Sequence, residues 1–307
     1  EAGYGNGDRY RAKGMANRFK DKMNLSINGT ANDNGINSNQ RIGVNYSQNT
    51  QKLKYGGSIE IRENQRDSWS KRHTESFLSD NTSQFSQQNN QSNGKTDAIS
   101  GNFRFEWKID SLTTIMYRPS VNFSKGNSNS GSFSETLNNE LIPINQKEAT
   151  NRQTNDRFST NGSLQFNRKL NSKGRNIALR LYYNLDNGNS DRYSLANTYY
   201  LKYGDSIKVQ NQWIDNLNRN HEYRVQLTYM EPVFTNHFIE INYSYQHRSS
   251  LSEKYAYDWN DLEDSYSQYP DTAQSDCYKN KYSIHQVGAF FRTIRTNYFY
   301  NIGIEIE

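Results

Sequence analysis

Two kinds of connection alternate along this 307-residue chain, and the alternation narrows the folds open to it. Short turns of about two to six residues lie near positions 20–22, 49–52, 110–111, 171–175, 231–236 and 293–297. Between them come polar connections of very unequal length, near 32–39, 64–95, 126–157, 188–220 and 248–280. Each segment bounded by two connections is long enough for a strand of about ten residues. Tight turns on one side and long loops on the other suit an antiparallel up-and-down β-barrel that meets two different compartments. A soluble sandwich has no reason to sort its connections by side.

The segments themselves alternate with a period of two, the signature of a strand with two unlike faces. Phe103, Phe105, Trp107 and Ile109 interleave with Asn102, Arg104, Glu106 and Lys108. Ile177, Leu179, Leu181, Tyr183 and Leu185 interleave with Arg180, Tyr182, Asn184 and Asp186. The same rhythm runs through Tyr223, Val225, Leu227 and Tyr229, and through Ile239, Ile241, Tyr243 and Tyr245. With the weaker patterns at 9–19 and 286–292, about twelve strands are expected, enough to cross a bilayer at about 9–11 residues each. Phe19, Tyr55, Trp107, Phe166, Tyr229, Phe291 and Tyr298 gather near the short turns, where a barrel carries an aromatic girdle. Pro119 interrupts one strand, and a local bulge is expected there.

Composition looks contrary at first. Hydrophobic residues make up 33% and the mean hydropathy is −1.08, values of a soluble or partly disordered chain. A barrel wall needs only one apolar face, however, and 23 Tyr with 14 Phe are too many for a disordered segment. No run approaches the roughly 18 apolar residues of a membrane helix. The single cysteine, Cys277, excludes an intrachain disulfide framework and a multi-cysteine metal site. The net charge of +5 is spread rather than striped, which leaves no surface for nucleic acid. Glu1-Ala2-Gly3-Tyr4 lacks a basic start and an apolar stretch, so residues 1–307 are expected to be one barrel domain within a longer exported precursor.

Several segments resemble the outer-membrane β-barrel domain of TonB-dependent receptor-like proteins. These are Ala2-Gly3-Tyr4-Gly5 with Arg9-Tyr10, the basic turn from Arg168-Lys169-Leu170 to Lys173-Gly174-Arg175, and Tyr229-Met230-Glu231-Pro232-Val233. The resemblance covers nearly the whole chain, but its motifs are turn chemistry. It implies location in the cell outer membrane, contact with outer-membrane lipid, and energised uptake of an unknown solute. It also implies a 22-stranded parent barrel with an N-terminal plug that meets TonB, and allows a surface lipoprotein as partner. This chain lacks a plug-like stretch and a TonB-contact segment and ends Ile304-Glu305-Ile306-Glu307, so it would supply about half of such a wall, with short periplasmic turns and long extracellular loops.

No residue pattern marks catalysis, a cofactor or a metal. The polar face carries Lys54, Glu60, Arg62, Arg104, Glu106, Lys108, Arg118, Arg180, Asp186, Arg224, Glu240, Arg292 and Glu305, which either line a solute path or pair across strands. Tyr255, Tyr257, Trp259, Tyr266 and Tyr269 fall in one long loop with Asp258, Asp261, Asp264 and Asp271. Rings beside carboxylates suit a sugar, and the spacing matches no EF-hand. Trp69 with Arg66, Lys71 and Arg72, and Trp213 with Asp215, repeat the idea more weakly. The Gln/Asn/Ser-rich run 81–93 is expected to be a mobile loop. His73, His221, His237, His247 and His285 form no metal doublet, and no serine-centred motif accompanies them, so no enzyme is expected. A passive pore or export barrel, and a soluble glycan-binding β module, are the competing readings.

Overall fold

A computed structural model describes residues 1–6, 9–78, 82–202, 206–295 and 298–307. These form one antiparallel up-and-down sheet of fourteen strands, with no helix among the described residues. Its strands are β1 (Ala2–Tyr4), β2 (Tyr10–Lys20), β3 (Met23–Asp33), β4 (Asn37–Asn49), β5 (Leu53–Phe77), β6 (Ser83–Lys108) and β7 (Thr113–Leu137). The second half holds β8 (Pro143–Lys169), β9 (Asn176–Tyr200), β10 (Ser206–Phe234), β11 (His237–Asn260), β12 (Ser265–Tyr266), β13 (Asp276–Ile294) and β14 (Phe299–Ile306). Each pairs with the next in sequence, except that β13 bypasses the two-residue β12, which pairs only with β11. Twelve strands have eight residues or more, the number the alternation implied. The sheet is not closed: β1 and β14 are its free edges.

The short turns at 20–22, 49–52, 110–111 and 171–175 occupy their expected places, while the one expected at 231–236 narrows to 235–236 because 231–234 form the end of β10; local chemistry fixes the turns. Asp110 Oδ1 accepts the backbone N–H groups of Leu112 and Thr113 at 2.7 and 2.6 Å, an Asx turn that reverses the chain between β6 and β7. These bonds, the Leu112 one foremost, hold the Asp110 carboxyl below its ordinary value of 3.8. Asn171 Oδ1 does the same for Lys173 and Arg175, and Gly174 supplies the positive φ of 108° that the turn needs. The turn at 293–297 lies partly outside the described residues.

The long polar connections are corrected. Most of what reads as loop is paired strand: β5 through β10 have 25 to 29 residues each, far more than a bilayer needs. The arms are held by an unbroken backbone ladder from Leu53↔Trp107 to Phe77↔Ser83, and by side-chain bonds such as Ser68–Ser92 at 2.7 Å and Gln146–Glu135 at 2.6 Å. Residues 83–93, expected to be mobile, open β6; Asn81 lies outside the described residues. Cys277 likewise sits on β13 opposite Glu253 rather than in a loop. The physical reason is that an arm with water on both sides has no apolar period, while its hydrogen-bond ladder needs none.

Two smaller corrections concern single residues. The β6–β7 register from Asn102↔Ser120 to Phe105↔Tyr117 is unshifted around Pro119, so the ladder skips pairs without a bulge. Phe19 pairs with Asn24 and therefore lies on the polar face, apart from the aromatics it was grouped with.

Candidate functional site

Cross-strand register assembles the two faces into continuous surfaces. On one face Leu53, Trp107, Ile115, Phe166, Leu179, Leu227, Tyr243, Val287 and Ile306 form a single row over nine strands. Further rows add Ile59, Phe103 and Ile241, which remain 51%, 49% and 50% exposed. Buried apolar side chains are few among the described residues: Ala98, Leu137, Ala196, Ile214 and Ala256. Among the described residues no second layer covers the apolar face. A sheet this size in water would bury it against another element, and a monomer rarely leaves such a patch open.

The apolar band has definite limits. On β5 and β6 it runs from Leu53 and Trp107 to Ile61 and Ile99, about 26 Å along the strand. Beyond Ile61, Ile99, Phe123 and Phe158 the same face turns charged, with Lys95 bonded to Glu63 at 2.8 Å and Lys125 facing Asp156 at 3.9 Å. At the other limit Tyr229 donates to Glu231 at 2.5 Å, and Arg175 grips the same carboxylate with two nitrogens at 2.5 and 2.7 Å. The basic turn and the Tyr-x-Glu-Pro turn, noted separately in the sequence, are thus one cluster. Tyr183, Tyr223, Tyr245, His247 and His285 form a ring-rich patch on the loop-side half of the band, with Tyr223 stacked on His247 at 5.1 Å. Sequence reading missed this patch, because residues 22 to 40 positions apart meet only once the register is known.

Glycines thin the sheet in mid-band. A Cβ on Gly57 would meet the Phe103 ring at 2.6 Å, and one on Gly162 would meet Tyr183 at 2.7 Å. The rings therefore lie flat over their glycine neighbours, as aromatics do when they cover backbone in a strand.

The opposite face is polar and largely self-paired. Lys54 and Arg104 converge on Glu106 at 3.3 and 2.9 Å, Arg41 meets Glu60 at 2.6 Å, and Arg292 meets Glu240 at 2.8 Å. Arg157 clasps Asp186 with two nitrogens, and Arg224 donates to Gln246. Cross-strand neighbours thus account for most of the charges singled out on this face.

The aromatics expected in one loop divide. Tyr255, Tyr257 and Trp259 extend β11, Tyr266 lies on β12, and only Tyr269 stands in the loop. Trp213 stacks on Tyr257 at 4.7 Å and donates to Asp191 at 3.2 Å rather than to Asp215. Burial, then Asp191 and Glu253, push the Asp215 carboxyl up. Asp258 accepts from Gln212 at 2.7 Å, Asp271 caps Ala273 and Gln274, and Asp264 takes a turn φ of 48°. The Asp258 and Asp271 carboxylates are thus held within the fold, and no group of three His, Cys, Asp or Glu among the described residues is placed to hold a metal. His247 reaches Ser283 at 2.9 Å, with no carboxylate bonded to the imidazole among the described residues. His237 bonds Thr293 and His285 bonds Tyr243. His73 lies against Phe85, and His221 faces Asn187 at 3.4 Å.

Fold and faces together define an open all-β up-and-down sheet whose one exposed face is apolar over a limited height. No family model matches the chain, no curated protein matches it, and no solved structure matches its fold.

Proposed function

We propose that the chain is part of the wall of an outer-membrane β-barrel in a TonB-dependent receptor-like transporter. Its apolar band meets lipid, and its polar face lines the lumen that an energised solute, and a plug linked to TonB, would occupy. The observation that carries the reading is the apolar row over nine strands, exposed and limited to about the height of a bilayer core. The girdle at Trp107 and Phe166 and the unlike finish of the two strand ends support it. The short turns would face the periplasm and the paired polar arms the outside. The free edges at β1 and β14 would continue into further strands of the parent, since each unpaired amide in hydrocarbon costs several kcal/mol.

Single-tryptophan versions of the parent protein in lipid vesicles test this. Trp107 should be quenched by brominated acyl chains and spared by aqueous acrylamide, and Trp69 should behave oppositely. Equal acrylamide quenching of both, or purification as a detergent-free monomer, would remove the membrane reading. Stable conductance in a planar bilayer without an energy source would replace the transporter with a passive pore.

A further inference from the structure

Beyond the charged limit of the band, the same face carries a trough that the transport reading does not use. Two adjoining cavities of about 490 and 450 Å³ share Gln91, Ser92 and Asn93 and together run from β4 to β10. Two register rows form the floor and walls. Trp69, Gln91, Gly131, Thr150, Leu195 and Asn211 are successive partners in one. Asp67, Asn93, Asn129, Arg152, Tyr193 and Trp213 are successive partners in the other.

The chemistry of this trough is specific. Its middle is planar amide, with Asn129 donating to Asn93 at 3.3 Å. Its floor opens at Gly131, where an added Cβ would touch nothing within 4 Å. Its two ends are aromatic. Trp69 stands at one, 65% exposed, with the Lys71 ammonium 5.2 Å from its ring. At the other, Tyr193 lies 5.8 Å from Tyr266, which is fixed by a hydroxyl bond to Asn211 at 3.1 Å. Arg152 lies between amides and rings, and makes no ion pair among the described residues. One carboxylate, Asp67, lines the trough against two cations, Arg66 and Arg152.

We propose that this trough binds an acidic oligosaccharide. Amides both donate and accept, which matches sugar hydroxyls. Exposed ring faces offer apolar platforms for the C–H faces of the sugar, and a guanidinium takes a carboxylate with two parallel bonds. The four strand spacings from Trp69 to Tyr193, about 19 Å, suit a chain of several rings rather than one. The trough lies on the opposite face from the ion-paired polar surface, so the saccharide is a surface ligand and not cargo.

The test uses the whole parent protein in detergent, titrated with hexagalacturonate and with maltohexaose. Vesicles bearing an acidic lipid-linked polysaccharide form a second arm. The acidic hexamer should bind roughly tenfold tighter than the neutral one. Tyr193→Ala should weaken it by roughly tenfold, as loss of an aromatic anchor does, while Tyr193→Phe stays near wild type. Arg152→Gln should erase the acid preference and leave weak binding of both hexamers. Strand content measured on each variant separates these losses from misfolding. Binding to the vesicles alone would assign the ligand to the surrounding cell surface, and binding of the free hexamer would assign it to the medium. No binding in either arm, no acid preference, or binding unchanged in Tyr193→Ala and Arg152→Gln would overturn the proposal. Trp69 serves the quenching experiment only as the aqueous reference, and the membrane reading turns on Trp107, which lies in the apolar band outside this trough, so either conclusion can fail without the other.

Discussion

Strands β5 to β10 each consist of two halves built on one uninterrupted ladder, and the halves differ in everything but their backbone. Toward the short turns, alternate residues are Ile, Leu, Phe, Tyr and Trp, and one face is apolar. Toward the hairpin tips, polar residues occupy both faces, as where the Gln-, Asn- and Ser-rich 84–93 pairs with the mostly polar and charged 67–76. The comparison teaches that hydrogen-bond pairing decides where strands exist, while apolar patterning decides only which solvent each face meets.

The largest expected effect sets the halves against each other on a single face of β10. Leu227→Arg should destabilise the protein in lipid by about 2–4 kcal/mol, and Val209→Arg, also surface-exposed, by less than about 0.5 kcal/mol. Denaturant unfolding from vesicles measures both, and equal costs would break the distinction. Next comes a glycine pair. Gly162→Ala drives a methyl into the Tyr183 ring and should cost about 1–3 kcal/mol. Gly131→Ala, in open space, should be close to neutral on the same assay. Smallest is the Asp110 turn. Its carboxyl is held below the ordinary value of 3.8, so its contribution is present above that pH and disappears as the pH falls through the lower folded value. Asp110→Ala should therefore lower stability at pH 7 and make no difference at pH 2, a sign that thermal unfolding at both pH values would check.

These contrasts explain what could be read in advance. The band strands were legible because Phe103 to Ile109 and Ile177 to Leu185 alternate against water-loving partners, and twelve long strands followed. The tips were not, since residues such as Asn89 and Ser132 look alike from either face and resemble loop. β2 misled differently: as the penultimate strand at a free edge it is exposed nearly throughout, and its Met15 and Phe19 stand on the polar side. The trough was half visible. Trp69 beside Lys71 and Trp213 stood out as isolated aromatics, but Arg152 and Tyr193 carried no local signal. Their meeting depends on the β8–β9 register, which pairs them across 40 residues of chain and is fixed by the hairpin below.

The paired arms have a consequence for how such a protein changes its reach. From Ile61 to the end of β5 at Phe77 lie sixteen residue steps, about 50 Å of stiff ribbon. Adding two residues to both arms of a hairpin would raise its tip by about 7 Å with every side chain still facing the same way. Adding one to each would exchange the faces of everything farther out. Growth of these palisades is therefore free only in steps of two, and a row that spans six strands constrains all of them to keep step together.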